Sequence, residues 1–187
     1  MSDHEFDDFA QQIADAAEAF LRGLEAVSKE EDAGTAVPLM LLEVSQLLLA
    51  GARLGAQQDF QPEGEYQPDV GPDPDLDAMR LRLAAKLGPV DTYSHNFEPY
   101  DPETFTSSLS DDLTSIATDI ANGLRHFRAG NVEEALWWWQ YSYLASWGGQ
   151  AVGVLGALHS VVAHSRLDLD VDESDQIEAA DELLGQP

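Results

Sequence analysis

Apolar residues recur at steps of three and four from the start of the chain. Phe6, Phe9, Ile13, Ala17, Phe20, Leu24 and Val27 fall on one side of a helix. Ser2 or Asp3 can cap that helix, Glu5, Asp7 and Asp8 suit the positive end of its dipole, and the run at 29–34 ends it. Thr35 and Pro38 open a second helix, apolar on nearly every side, with Glu43 its only charge before Arg53. That pattern predicts burial on several faces. Its interruptions argue against reading the stretch as a membrane span. Leu76, Met79, Leu83 and Leu87 mark a third helix stopped by Gly88-Pro89. A fourth starts near Ser108 or Ser110 and buries Leu109, Leu113, Ile116, Ile120, Leu124 and Phe127.

Gly130 fits the C′ position of the fourth helix and Asn131 the N-cap of a fifth, so the two fold back as an antiparallel hairpin. No Asp, Glu, Lys or Arg falls between Glu134 and Arg166, and all four tryptophans lie in that interval. A straight helix over 132–166 would be about 50 Å long, so either a bend, for which Gly148-Gly149 offers a place, or an elongated bundle is expected. Ala145, Gly149, Gly153, Gly156 and Ser160 form a stripe of small residues that lets another backbone approach. Trp147 is expected in the core. Counting outward from Gly130 sets Asp112 near Gly149 and Asp119 near Ser142. Asp112 then reaches Trp147 or Gln150, and Asp119 reaches Tyr141 or Tyr143, as structural polar contacts across the hairpin.

Two segments lack either period. Residues 57–75 hold four prolines and many acids, which predicts a mobile connection. Residues 91–106 read as neither helix nor strand. Tyr93, Phe97, Tyr100 and Phe105 would pin that loop to the body or make it a ligand lid. Beyond Arg166 an acidic tail, 168–187, carries one short helix around Ile177, Ala180 and Leu184. The expected fold class is all-α: a single-domain helical bundle of five main helices plus a short C-terminal helix around a central antiparallel hairpin.

Charge narrows the partners. With 35 acidic against 9 basic residues the formal net charge is −26. Phosphate backbones and anionic membranes both need Lys and Arg, so neither is a direct partner. A protein partner is expected, a second copy of the chain included, and an acidic N-terminus predicts a cytoplasmic location. The one cationic cluster, Arg80, Arg82 and Lys86, faces the acidic connection, a ligand or solvent. The absence of cysteine removes thiolate chemistry and Cys-ligated zinc.

The stretch from Leu109 to His159 resembles a bacterial family designated domain of unknown function 5063. The resemblance is carried by Leu109, Asp111, Asp112, Leu113, Ile116, Asp119, Gly123, Leu124, Gly130, Ala135, Trp137, Trp147, Gly148, Ala151, Leu158 and His159. It implies an all-helical cytosolic protein without known activity, with an accessory link to nucleic-acid maintenance. It also implies histidines at positions 146 and 150. This chain has Ser146 and Gln150 there, which puts a histidine-based metal or catalytic role in doubt.

No residue pattern calls for a catalytic centre, a metal or a cofactor. His159 and His164 are five apart, about 140° around a helix, and cannot share a metal. His159 reads as a hydrogen-bonded core residue. Asp168, Asp170 and Asp172 begin like a calcium loop, but Glu173 stands where that loop needs glycine. A non-enzymatic protein-interaction or accessory module is therefore the leading expectation. The alternative is a small-molecule binder or enzyme with a pocket between the 91–105 loop and the 132–166 helix, using Tyr93, His95, Trp138, Trp147 and His159.

Overall fold

The first periodic face is buried along its length, with Phe9, Ile13, Phe20, Leu24 and Val27 in the core of α1 (Asp3–Lys29). The computed structural model describes residues 3–62, 64, 68–96, 100 and 103–167. The acidic tail at 168–187, with its expected helix and calcium-like spacing, lies outside the described residues, as do Ser2 and Phe97.

Helix α2 (Ala33–Gly55) begins before Thr35 because Asp32 caps it. The Asp32 carboxylate accepts the N–H of Gly34 at 3.2 Å and of Thr35 at 2.9 Å. Pro38 therefore lies inside the helix and not at its first position. The two helices run antiparallel: Arg53 donates to Gln12 at 2.6 Å, while Glu43 lies over Gly23. A Cβ at Gly23 would come within 2.3 Å of the Glu43 carboxyl carbon.

Helix α3 (Asp77–Leu87) buries Met79, Leu83 and Leu87 and ends in a short 3₁₀ turn. Its cations are committed to α1, to the turn after it and to the helix that follows the strands. Arg82 pairs with Glu25 at 2.8 Å, Arg80 with Asp111 at 3.3 Å, and Lys86 donates to the Glu30 carbonyl. These pairs are partly exposed, so each contributes at most about 1 kcal/mol.

Residues 91–106 depart from the expectation of an irregular loop. β1 (Thr92–His95) and β2 (Phe105–Ser108) pair antiparallel, Thr92 opposite Ser108 and His95 opposite Phe105. Strands this short show too few alternations to stand out in a sequence. The loop aromatics anchor unequally: Tyr93 is half-buried, Phe105 is 45% exposed and Tyr100 is 98% exposed.

Helix α4 (Leu109–Arg128) is closed by Gly130, whose φ of +85° needs glycine. Gly130 N–H bonds to the Phe127 carbonyl and Asn131 N–H to the His126 carbonyl, both at 3.0 Å. Helix α5 (Val132–Ser142) then returns along α4. Asn131 stands at its N-cap, although its side chain makes no capping bond. The interruption expected at Gly148-Gly149 starts earlier, as a π-helical turn over Tyr143–Trp147, before α6 (Gly148–Leu167) resumes. Gly148 N–H bonds to the Tyr143 carbonyl, and a Cβ at Gly148 would sit 2.3 Å from that oxygen. Only glycine accepts so close a carbonyl.

The architecture is an all-α bundle with one small hairpin of strands. α2 packs between α1 and α6, and α4 touches α1, α3, α5 and α6. The 57–75 connection is anchored at its start. The buried Gln140 amide donates to the Leu54 carbonyl at 3.0 Å, and its oxygen accepts Phe60 N–H at 3.0 Å. The Phe60 ring meets Phe6 and Phe9, each at 6.2 Å. Gln140→Ala leaves Phe60 N–H without its acceptor, while the Leu54 carbonyl keeps its bond from Gln57 N–H at 3.1 Å. A loss of about 1–3 kcal/mol follows, with faster hydrogen exchange at the Phe60 amide. Unchanged exchange there sinks the anchor.

Candidate functional site

Two aspartates one heptad apart on α4 face different neighbours. Tyr93 donates its hydroxyl to Asp112 Oδ2 at 2.8 Å, and Ser146 donates to Asp119 Oδ2 at 3.1 Å. The Trp138 indole N–H bonds to the Asp119 main-chain oxygen at 2.9 Å. Asp119 therefore does bond across the hairpin, but to Ser146 in place of Tyr141 or Tyr143. Asp112 bonds to the strand hairpin in place of Trp147 or Gln150. The cause is the π turn, which inserts the equivalent of about one residue. Register counted from Gly130 is lost beyond Ser142, and β1 fills the space that Asp112 faces.

Trp147 is 1% exposed, and its ring lies 4.9 Å from that of Tyr143. Gly51 of α2 makes room for both rings; a Cβ there would come within 2.6 Å of each. The indole N–H of Trp147 has no acceptor among the described residues. His159, expected in the core, is exposed on α6. It falls outside the buried row Ala151, Val154 and Leu158.

The cavity nearest the expected pocket is a groove of about 560 Å³ between β1 and α6. Ser94, His95 and Asn96 form one wall and Gly149, Val152, Gly153 and Gly156 the other. Tyr93 stacks on His95 at 5.1 Å, and both rings rest on Gly153, where a Cβ would lie 3.0 Å from the Tyr93 hydroxyl. His95 Nε2 lies 3.1 Å from Ser107 Oγ. The structure thus brings Tyr93, His95 and Asp112 together, whereas Trp138, Trp147 and His159 do not line the groove.

Sequence reasoning missed Asp91. Its carboxylate accepts the hydroxyls of Ser108 and Ser110 and the Ser110 N–H, all at 2.8–2.9 Å, so it caps α4 from across the strand hairpin. No local signal reveals such a cap, because the Ser108 side chain at the N-cap position makes no capping bond itself.

Burial pushes the Asp112 and Asp119 carboxyls above the ordinary range, while the Tyr93 and Ser146 hydroxyls pull the other way. A carboxyl with a raised folded pKa contributes stability that is complete below its unfolded value near 3.8. That contribution is lost as pH rises through the folded value. Asp112→Asn and Asp119→Asn should therefore raise the melting temperature at about pH 7, with a gain that shrinks toward about pH 4. A gain that does not vary with pH contradicts the burial account.

A family model matches residues 4–164, most of the chain. The chain belongs to the family designated domain of unknown function (DUF5063). The DUF5063 match takes in both strands and nearly all of the helical structure described above. Among solved structures the chain is similar to the crystal structure of protein BF1032 from Bacteroides fragilis. The TM-score is 0.68 at 22% identity, over 83% of this chain and 93% of that one. This likeness shows the fold. No curated protein matches the chain. Ser146 holds Asp119, and Gln150 is half-buried, its side-chain oxygen without a partner among the described residues.

Proposed function

We propose that this DUF5063 protein is a non-enzymatic interaction module that binds a protein through the outer face of α2. The observation that carries this reading is a row of outward leucines. Leu39, Leu42 and Leu49 are 39%, 49% and 66% exposed, on one side of a helix that holds an 18-residue window of mean hydropathy 1.6. Leu41 and Leu48 flank that row half-buried. Exposing leucine at helical spacing lowers solubility, and a covering partner offsets that. A photo-crosslinking residue at Gln46, centred in the row, should trap a defined adduct in cells, and Leu42→Asp should remove it. A crosslinker at Glu133, exposed on α5, should trap none. An adduct that survives Leu42→Asp, or none at Gln46, sinks the reading.

The groove between β1 and α6 favours a second reading, a small-molecule binder. Its volume suits a compact ligand, and His95 and Asn96 offer it polar contacts. Ligand-dependent thermal stabilisation that His95→Ala removes and Leu42→Asp leaves intact would favour this reading over the first.

A further inference from the structure

The surroundings of the leucine row differ on its two sides, and this names the chemistry of the partner. Gln12 meets Arg53 and Gly23 meets Glu43, which sets the register of α1 against α2. Asp15 is then level with Leu49, Ala19 with Gln46 and Ala26 with Leu39. Helical spacing puts Asp15, Ala19 and Ala26, all exposed, on the same side of α1 as Gln12 and Gly23. Small residues therefore lower the α1 side of the row, and the leucines stand above it as a ridge.

The charges follow the same side. Glu43 is half-buried in the seam, where burial pushes its carboxyl up and no cation among the described residues pulls it back. Asp15 adds a second carboxylate at the Leu49 end; it accepts one bond, from Gln11 at 2.8 Å. Arg53 is turned onto α1, bonded to Gln12 and lying 5.5 Å over the Phe9 ring. Arg22 is exposed on this edge beside Gly23, so the edge carries two acids against one outward cation. The opposite edge belongs to α6, which contains no Asp or Glu at all.

From this asymmetry we infer that the occupant of the α2 face is an amphipathic helix of another protein, leucine-like on one side, with Lys or Arg along a single edge. The inference rests on the interaction reading above and adds the partner's chemistry. The span from Leu39 to Leu49 is about 15 Å, which seats about three turns of a partner helix with anchors at i, i+3 or i+4, and i+7. The partner's cations align with Glu43 and Asp15, so its basic edge lies toward α1 and its neutral edge toward α6. A second copy of the chain is a poor occupant, because docking sets one net charge of −26 against another. The chain's own segment at 168–187 is equally poor, since it carries acids and neither Lys nor Arg. Anionic lipid is repelled for the same reason.

The test uses the full-length chain and three labelled synthetic helical peptides of about 14 residues, long enough to span the row. All carry the same leucine face. The first has lysines on one edge, the second has as many spread over the polar face, and the third has glutamates on the edge. Fluorescence anisotropy should show the first binding about tenfold more tightly than the second, with no binding of the third. Leu42→Asp with Leu49→Asp should abolish binding, and Asp15→Asn with Glu43→Gln should weaken it severalfold. Circular dichroism checks that each variant is folded. Equal binding of the first two peptides, or binding that ignores the leucine substitutions, overturns the inference in favour of unspecific charge attraction. A dimer in sedimentation that the leucine substitutions dissociate overturns it in favour of a second copy. Tighter peptide binding after truncation at Leu167 overturns it in favour of the tail. If the peptides fail while the Gln46 adduct persists, the partner chemistry is wrong and the interaction reading stands; if both fail, both fall.

Discussion

Trp147→Ala costs about 3–5 kcal/mol in chemical denaturation, the range for emptying an aromatic core site. The residue sits where α2, the π turn and α6 meet, 1% exposed, with Gly51 left bare to receive it. Truncation leaves a hole bounded by two backbones that cannot close. Gly51 cannot move toward the rest of the core without carrying α2, and the π turn is held by the bond from Gly148 to Tyr143. The indole N–H makes no hydrogen bond among the described residues. The loss is therefore almost entirely packing and apolar transfer. Trp147→Phe should accordingly recover more than half of it. A loss well under about 1 kcal/mol for the alanine variant would mean the site collapses freely and the π turn is soft.

Gly123→Ala costs about 4 kcal/mol although it adds one methyl group, the sum of an overpacking cost of up to about 3 kcal/mol and a lost hydrogen bond of about 1 kcal/mol. Gly123 faces the indole of Trp139, and a Cβ there would come within 2.2 Å of its Nε1. That indole is fully buried, donates to the Ile120 carbonyl at 3.0 Å and packs beside Phe127 at 6.3 Å. The ring has nowhere to retreat, so the methyl displaces it and breaks its bond. Combining Gly123→Ala with Trp139→Phe, which shortens the ring, should cost less than the sum of the two single changes. Strict additivity in that double-mutant cycle would show that the two residues do not meet.

The groove and the α2 face illustrate two kinds of legibility. That the 91–105 segment meets the long fifth helix was readable from aromatic density and from the glycine stripe, and Tyr93 and His95 do lie over Gly153. That Trp138, Trp147 and His159 fall elsewhere was not. The direction of residues beyond Ser142 depends on the π turn, and a single extra residue within a helix rotates everything after it by about 100°. The leucines of α2 were read as buried on several faces, since a helix apolar all round usually is. Only the arrangement of α1 and α6 shows that one side is left open.

Local periodicity by itself determined the helices and the Gly130 turn, because a face repeating every 3.6 residues is specified by neighbours in the chain. Composition determined the acidity that argues against nucleic-acid and anionic-lipid partners. The tertiary structure decided the rest: Asp91 as the cap of α4, Gln140 as the clasp of the 57–60 segment, Tyr93 as the partner of Asp112. Each joins residues at least 19 positions apart. Hydrogen bonds of that span depend on where whole helices pack, and helix packing depends on volumes such as a glycine facing an indole, which no repeat along the chain records.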